Sequence, residues 1–196
     1  MARVMISVPC HAGVVQLPTF DSLIGMDHDG HEIIPGSVIA HDCQTARIDQ
    51  AKLALEKGAD YLLMVDWDVV LPKDALKNLM SHNQHICSGY YVRAKSDVGR
   101  TVVVKKNSHL FDDCYFDHEI AQMRESGEYL VEIKASGAGC LLIRTSVFNH
   151  IPKPWFEFKP TEDFYFCDKA RYSGYKVYMD TRVRCNHHYY GCREAK

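Results

Sequence analysis

The chain has 196 residues, 46% of them hydrophobic, and a formal net charge of -2 from 23 Lys and Arg against 25 Asp and Glu. That size and apolar content suit one domain with its own core, and the lack of a basic excess excludes nucleic acid as an expected partner. No window approaches the roughly 18 apolar residues of a membrane span, the first residues lack the apolar stretch of a secretory leader, and the eight cysteines include no Cys-x-x-Cys pair, so neither a zinc site nor a disulfide framework is expected and the thiols read as reduced and cytoplasmic.

In chain order, Arg3 to Val8 is a short β-rich run closed by Pro9 and predicts a buried first strand. Gln16 to Gly25 reads as a helix, and Glu32 to Ala40 as a second strand interrupted by Pro-Gly. Thr45 to Lys57 predicts a helix capped by Asp42 or Thr45, with Gly58 where a C′ glycine belongs. Tyr61 to Val65 is wholly apolar, as in a parallel strand covered on both faces. Pro72 opens another helical turn with Leu76, Leu79 and Met80 on one side.

Ile86 to Val92, Thr101 to Lys105 and Tyr129 to Ala135 predict strands joined by polar loops. Within these, 93–100 and 106–117 read as lids. Cys140 to Ile143 predicts another strand, followed by a short helix from Thr145 to His150. Glu162 to Ser173 is a helix stopped by Gly174, and Lys176 to Met179 a last strand. Strand–helix alternation followed by a mixed half argues for an α/β domain with its site at strand carboxyl ends.

Asp66-Trp67-Asp68 stands directly after the apolar Tyr61 to Val65 strand. Two carboxylates at such an end can share one hard cation such as Mg²⁺ or Mn²⁺, which prefers oxygen ligands and can bridge a diphosphate. The same residues could instead cap the following turn. A second Asp-x-Asp at Asp27 and Asp29 follows no buried strand.

The run from Ala59 to Pro72 resembles the metal-binding region of family 2-like GT-A glycosyltransferases, which act on nucleotide sugars. The resemblance implies a Rossmann-like nucleotide-binding half, about 1–92, and an acceptor and catalytic half, about 93–196, in one α/β domain with a mixed central sheet flanked by helices. It makes Asp68 a metal ligand and Asp66 a donor contact. Thr45-Ala46-Arg47 is similar to the family's nucleotide-contacting helix start, with Ile48 where an Asn is usual. Val8-Pro9-Cys10 is similar to the first strand end that holds the base; Pro9, Cys10, His11, Arg47, Asp66, Trp67 and Gly139 are the donor-side residues so implied.

Gly137 and Gly139 sit in a turn similar to the family's acceptor-side glycines, where a bare backbone can approach a ligand. Glu162 and Asp163 open a helix between Pro154-Trp155-Phe156 and Phe164-Tyr165-Phe166, as the family's catalytic acidic pair does. The resemblance makes Asp163 the base that takes the acceptor proton in an inverting transfer. It assigns the second metal ligand to His187, with His188 as the fallback, and an imidazole ligand suits Mn²⁺ better than Mg²⁺. The implied substrates are a nucleotide sugar, commonly a UDP-sugar, and a carbohydrate or glycoconjugate acceptor. Asp66 to Val70 also fits the nucleophile motif of a haloacid-dehalogenase-like phosphohydrolase, and a sugar nucleotidyltransferase would share the architecture; the first places its motif near the N-terminus and the second usually opens with a basic Gly-rich loop, so they stand as the alternatives to a transferase.

Overall fold

The computed structural model describes residues 1–10, 14–93, 96, 98–109 and 112–188. β1 (Arg3–Cys10) pairs in parallel with β2 (Glu32–Ile39) on one side and β3 (Tyr61–Val65) on the other. It continues through Pro9 because pairing with β3 stops at Ser7, so the missing N–H costs little there. Pro35 is likewise accommodated because β2 is an edge strand.

Four further strands complete a seven-stranded sheet: β5 (Ile86–Tyr90), β8 (Leu130–Ile133), β10 (Cys140–Arg144) and β11 (Val177–Arg184). The order is β2-β1-β3-β10-β5-β11-β8, with β10 and β8 antiparallel to their neighbours and the rest parallel. The sheet therefore takes strands from both halves of the sequence. β3 shows why its sequence is unbroken in apolarity: Leu62 and Met64 face one apolar layer, Tyr61, Leu63 and Val65 the other. Burying each such side chain contributes about 1.5–3 kcal/mol.

α1 (Leu17–Ile24) and α3 (Ala75–Ser81) cover one face of the sheet. The other face is covered by α2 (Cys43–Glu56), α4 (Asp117–Glu125), α5 (Val147–His150) and α6 (Glu162–Tyr172). Of the two candidate caps of α2 it is Asp42 that serves, accepting from the Thr45 amide at 2.8 Å. Gly58 and Gly174 follow their helices with φ of +62° and +89°, the left-handed geometry that glycine supplies without strain.

Several elements depart from the sequence reading. α4 occupies a stretch read as polar loop; its start is fixed by the Glu119 carboxylate, which accepts from the Phe116 amide at 2.7 Å. β6 (Arg100–Val104) pairs with β7 (Cys114–Phe116) and β9 (Ala135–Ser136), so part of the second lid candidate is a paired strand. β11 runs five residues past the expected end: Asp180 and Thr181 look like a strand stop, yet both are buried. Asp180 is satisfied there by His82 Nε2 at 2.7 Å and by the Arg182 amide at 2.8 Å. A two-residue ribbon, β4 (Val69–Val70) with β12 (Asn186–His187), was invisible because its halves lie far apart in sequence. The seven described cysteines are all unbridged, and among the described residues no helix is long and apolar enough to cross a membrane.

Candidate active site

The parallel strands β1, β2, β3 and β5 all end at one edge of the sheet, where the reversed strand β10 begins. The topology thus gathers Cys10, His41, Asp66, Tyr91 and Gly139 from five separate segments. A cavity of about 430 Å³ opens at this edge, lined among others by Pro9, Cys10, Arg47, Trp67, Glu162 and Asp163. Asp66, Asp68 and His187 line it as well. Nearly all the predicted donor, base and metal residues therefore share one wall. His11 lies outside the described residues, and Gly139 sits behind Asp66 instead of on the cavity surface.

The glycines at 137 and 139 are explained by protein neighbours. A Cβ on Gly139 would fall 2.5 Å from the Tyr91 hydroxyl and 2.8 Å from Asp66 Oδ2; one on Gly137 would fall 2.7 Å from the same hydroxyl. Tyr91 is buried and its hydroxyl accepts from the Gly139 amide at 3.2 Å. Its ring also meets the His187 imidazole edge-on at 5.2 Å. Tyr91 thus props the glycine turn behind Asp66 and one side of His187. The sequence offered no motif for it, only a place inside the expected strand Ile86 to Val92, whereas β5 ends at Tyr90.

Arg47 is the electrostatic centre of the site. It is a buried α2 residue, 4% exposed, not a solvated one. Its Nη2 donates a short hydrogen bond to Asp66 Oδ1, its Nε lies 3.9 Å from Glu162 Oε1, and its Nη1 donates to Gln50. Burial by itself would disfavour the charge, but the carboxylates of Asp66, Glu162 and Asp163 outweigh it and hold the guanidinium protonated. Glu162 is itself pushed up by desolvation and by Asp163. It lies on the cavity wall beside Arg47.

The β4–β12 ribbon places His187 beside Asp68. Its register sets His187 opposite Val69 and brings Nε2 to 3.2 Å from Asp68 Oδ2. His188 contributes only backbone here, its amide donating to the Asp68 carbonyl at 2.8 Å. The imidazole is pushed up first by its bond to Asp68, and burial only partly opposes this. No cluster of three His, Cys, Asp or Glu side chains able to hold an ion occurs among the described residues. Asp68 and His187 offer one oxygen and one nitrogen donor on the wall of a cavity rich in carboxylates.

Asp163 stands at the first turn of α6. Thr161 Oγ1 and the Phe164 amide both donate to Oδ1, whereas Oδ2 receives only the Ala138 amide at a long 3.3 Å. Its pKa is raised, chiefly by desolvation. The side chain reaches the cavity surface but is surrounded by protein atoms, so charge on it is poorly hydrated. A carboxylate with one oxygen pinned and the other weakly engaged is suited to accept a proton.

No family model matches the chain, and no curated protein matches it in sequence. Solved structures do match its fold. A197 from STIV is 21% identical at a TM-score of 0.66, over 96% of this chain and 86% of that one. GalNAc-T7, solved with UDP, GalNAc and Mn²⁺, is 13% identical at a TM-score of 0.67, over 96% of this chain but only 44% of that one. The S. aureus TarS fragment 1–349 is 12% identical at a TM-score of 0.53, over 94% of this chain and 60% of that one. At such identities the likeness concerns architecture, and the chain has the mixed α/β GT-A-type fold of these structures.

Proposed function

We propose that this protein is a metal-dependent, inverting glycosyltransferase that moves a sugar from a nucleoside-diphosphate sugar, UDP-linked by preference, to an acceptor hydroxyl. The observation that carries this reading is the convergence of Asp66 and Asp68 from the end of β3, His187 from β12 and Asp163 from α6 on one cavity. The GalNAc-T7 structure of the same fold contains UDP and Mn²⁺, which favours that nucleotide and that ion here.

The charge inventory of the cavity favours a cation. Asp42, Asp66, Asp68, Glu162 and Asp163 line it, against Arg47 and the histidines His41 and His187. An anionic diphosphate entering this wall meets net repulsion unless a divalent ion offsets it. Asp68 and His187 would hold that ion, a mixed oxygen and nitrogen pair that suits Mn²⁺. When bound, the cation supplies charge neutralisation to the departing diphosphate.

The chain's own residues do the rest. Arg47 holds Asp66 in a fixed orientation at the end of β3, on the wall that the donor would meet. Glu162 keeps Arg47 charged and in place. Thr161 and the Phe164 amide orient Asp163, whose Oδ2 accepts the acceptor proton as the acceptor oxygen attacks the anomeric carbon from the face opposite the diphosphate. Inversion follows from that single displacement.

Replacing Asp163 with Asn keeps the shape and removes the base. Transfer should fall by about 10²–10⁴-fold, while UDP affinity measured by calorimetry stays within error of the parent. Undiminished transfer in Asp163→Asn would remove Asp163 from the mechanism.

A further inference from the structure

Asp163 also forms part of a second cavity, of about 370 Å³, lined by Arg93, Val102, Asp112 and Phe164. Among the described residues it is the single one lining both this cavity and the donor cleft. Asp163 therefore borders both a group bound in the donor cleft and a group bound in this second cavity.

Resting on the transferase reading, we propose that this second cavity is the acceptor subsite and that it selects a neutral, hydroxyl-rich sugar over an acidic one. Its volume is at the small end of the roughly 300–1,000 Å³ typical of ligand cavities, which suits a terminal sugar ring and not a long oligosaccharide strand. Among the described residues, the charged groups on its wall are Arg93, Asp112 and Asp163, one positive and two negative. A carboxylate or phosphate on the acceptor would face two like charges, which is a strong basis for rejection. A neutral sugar instead finds donors on Arg93 and acceptors on Asp112 for its hydroxyls.

Arg93 is held for this role. Its Nε donates to the Thr101 carbonyl at 3.0 Å, and its Nη2 lies 2.9 Å from Cys114 Sγ. Both anchors belong to the β6–β7 pair, so the guanidinium plane is fixed before any ligand arrives. In the reaction the acceptor O–H loses its proton to Asp163 Oδ2, the new C–O bond forms at the anomeric carbon, and the bond to the diphosphate oxygen breaks with its electron pair leaving on the diphosphate.

The test uses the full chain loaded with UDP and Mn²⁺, and saturation-transfer NMR with methyl glycosides of glucose, galactose and N-acetylglucosamine, with methyl glucuronide as the acidic probe. At least one neutral glycoside should bind and methyl glucuronide should not. Arg93→Ala should weaken the neutral probe by about tenfold or more while UDP affinity is unchanged. Asp112 is exposed, so its replacement is tolerable in the fold. Asp112→Lys reverses the balance of charge and should admit methyl glucuronide. Failure of UDP itself to bind would count against the transferase reading and the subsite together. Normal UDP binding with no glycoside bound, with methyl glucuronide bound as well as the neutral probes, or with selectivity unmoved by Asp112→Lys would overturn the subsite alone.

Discussion

Arg47 neutralises a wall of carboxylates from within the protein, and its removal should be costly. Losing one member of a buried ion pair typically destabilises a protein by about 3–5 kcal/mol. Asp66 is a quarter exposed, which places Arg47→Ala at the lower end of that range. Denaturant unfolding measures this; a loss below about 1 kcal/mol, the scale of an exposed pair, would contradict the central role of Arg47. Asp163 gives a prediction of opposite sense. Its folded-state pKa is raised, so its contribution to stability is fully present below the unfolded value of about 3.9 and is lost as pH rises through the folded value. Asp163→Asn should therefore gain stability relative to the parent between pH 4 and pH 7.5, as the parent carboxylate becomes charged. A melting-temperature difference that stays flat over that range would exclude a desolvated carboxylate. The same shift places the acid limb of the parent's rate profile above the ordinary carboxylate range. The cavity-lining acids Asp66, Asp68 and Asp163 were legible in the sequence because acidic pairs at a strand end and a helix start are local patterns. Tyr91 was not, since its role comes from three segments packing on one hydroxyl.

At the scale of elements, the turn before β10 is a close fit between Gly137, Gly139 and the Tyr91 ring. Gly139→Ala would place a methyl group against the Tyr91 hydroxyl and Asp66, an overpacking that costs about 1–3 kcal/mol. Tyr91→Phe removes one of the clashing atoms, so the double variant should lose less than the sum of the two single variants. Strict additivity by thermal unfolding would show that the hydroxyl does not set the glycine requirement. The strands and helices with periodic or wholly apolar sequences, β3 and α2 above all, were readable from their own residues. α4 and the β4–β12 ribbon were hidden for different reasons. α4 is short and its apolar residues, Ile120 and Met123, are few; the ribbon exists only through a pairing of residues far apart in sequence, Asn186 with Val70. That pairing also sets the His187 imidazole beside Asp68, whereas His188 meets Asp68 through its backbone amide.

Across the whole molecule, the site is a consequence of topology. Parallel strands bring their carboxyl ends to one edge, and the insertion of the reversed strand β10 between β3 and β5 puts the Gly139 turn at that same edge, directly behind the acidic motif. α6 then carries Asp163 to the junction of two cavities. The alternation of strand and helix made this architecture legible in outline, but the place of β10 between β3 and β5 is a tertiary choice that no local pattern encodes. On the proposed reading, the cavity receives a nucleoside diphosphate together with a cation held by Asp68 and His187. Calorimetric titration of UDP into the protein, with and without Mn²⁺ and again in Asp68→Ala, tests it most directly. Mn²⁺ should tighten UDP binding by about tenfold or more, equivalent to about 1.4 kcal/mol, and Asp68→Ala should abolish that gain. UDP binding that is absent under all conditions, or equally tight with and without Mn²⁺, would contradict it.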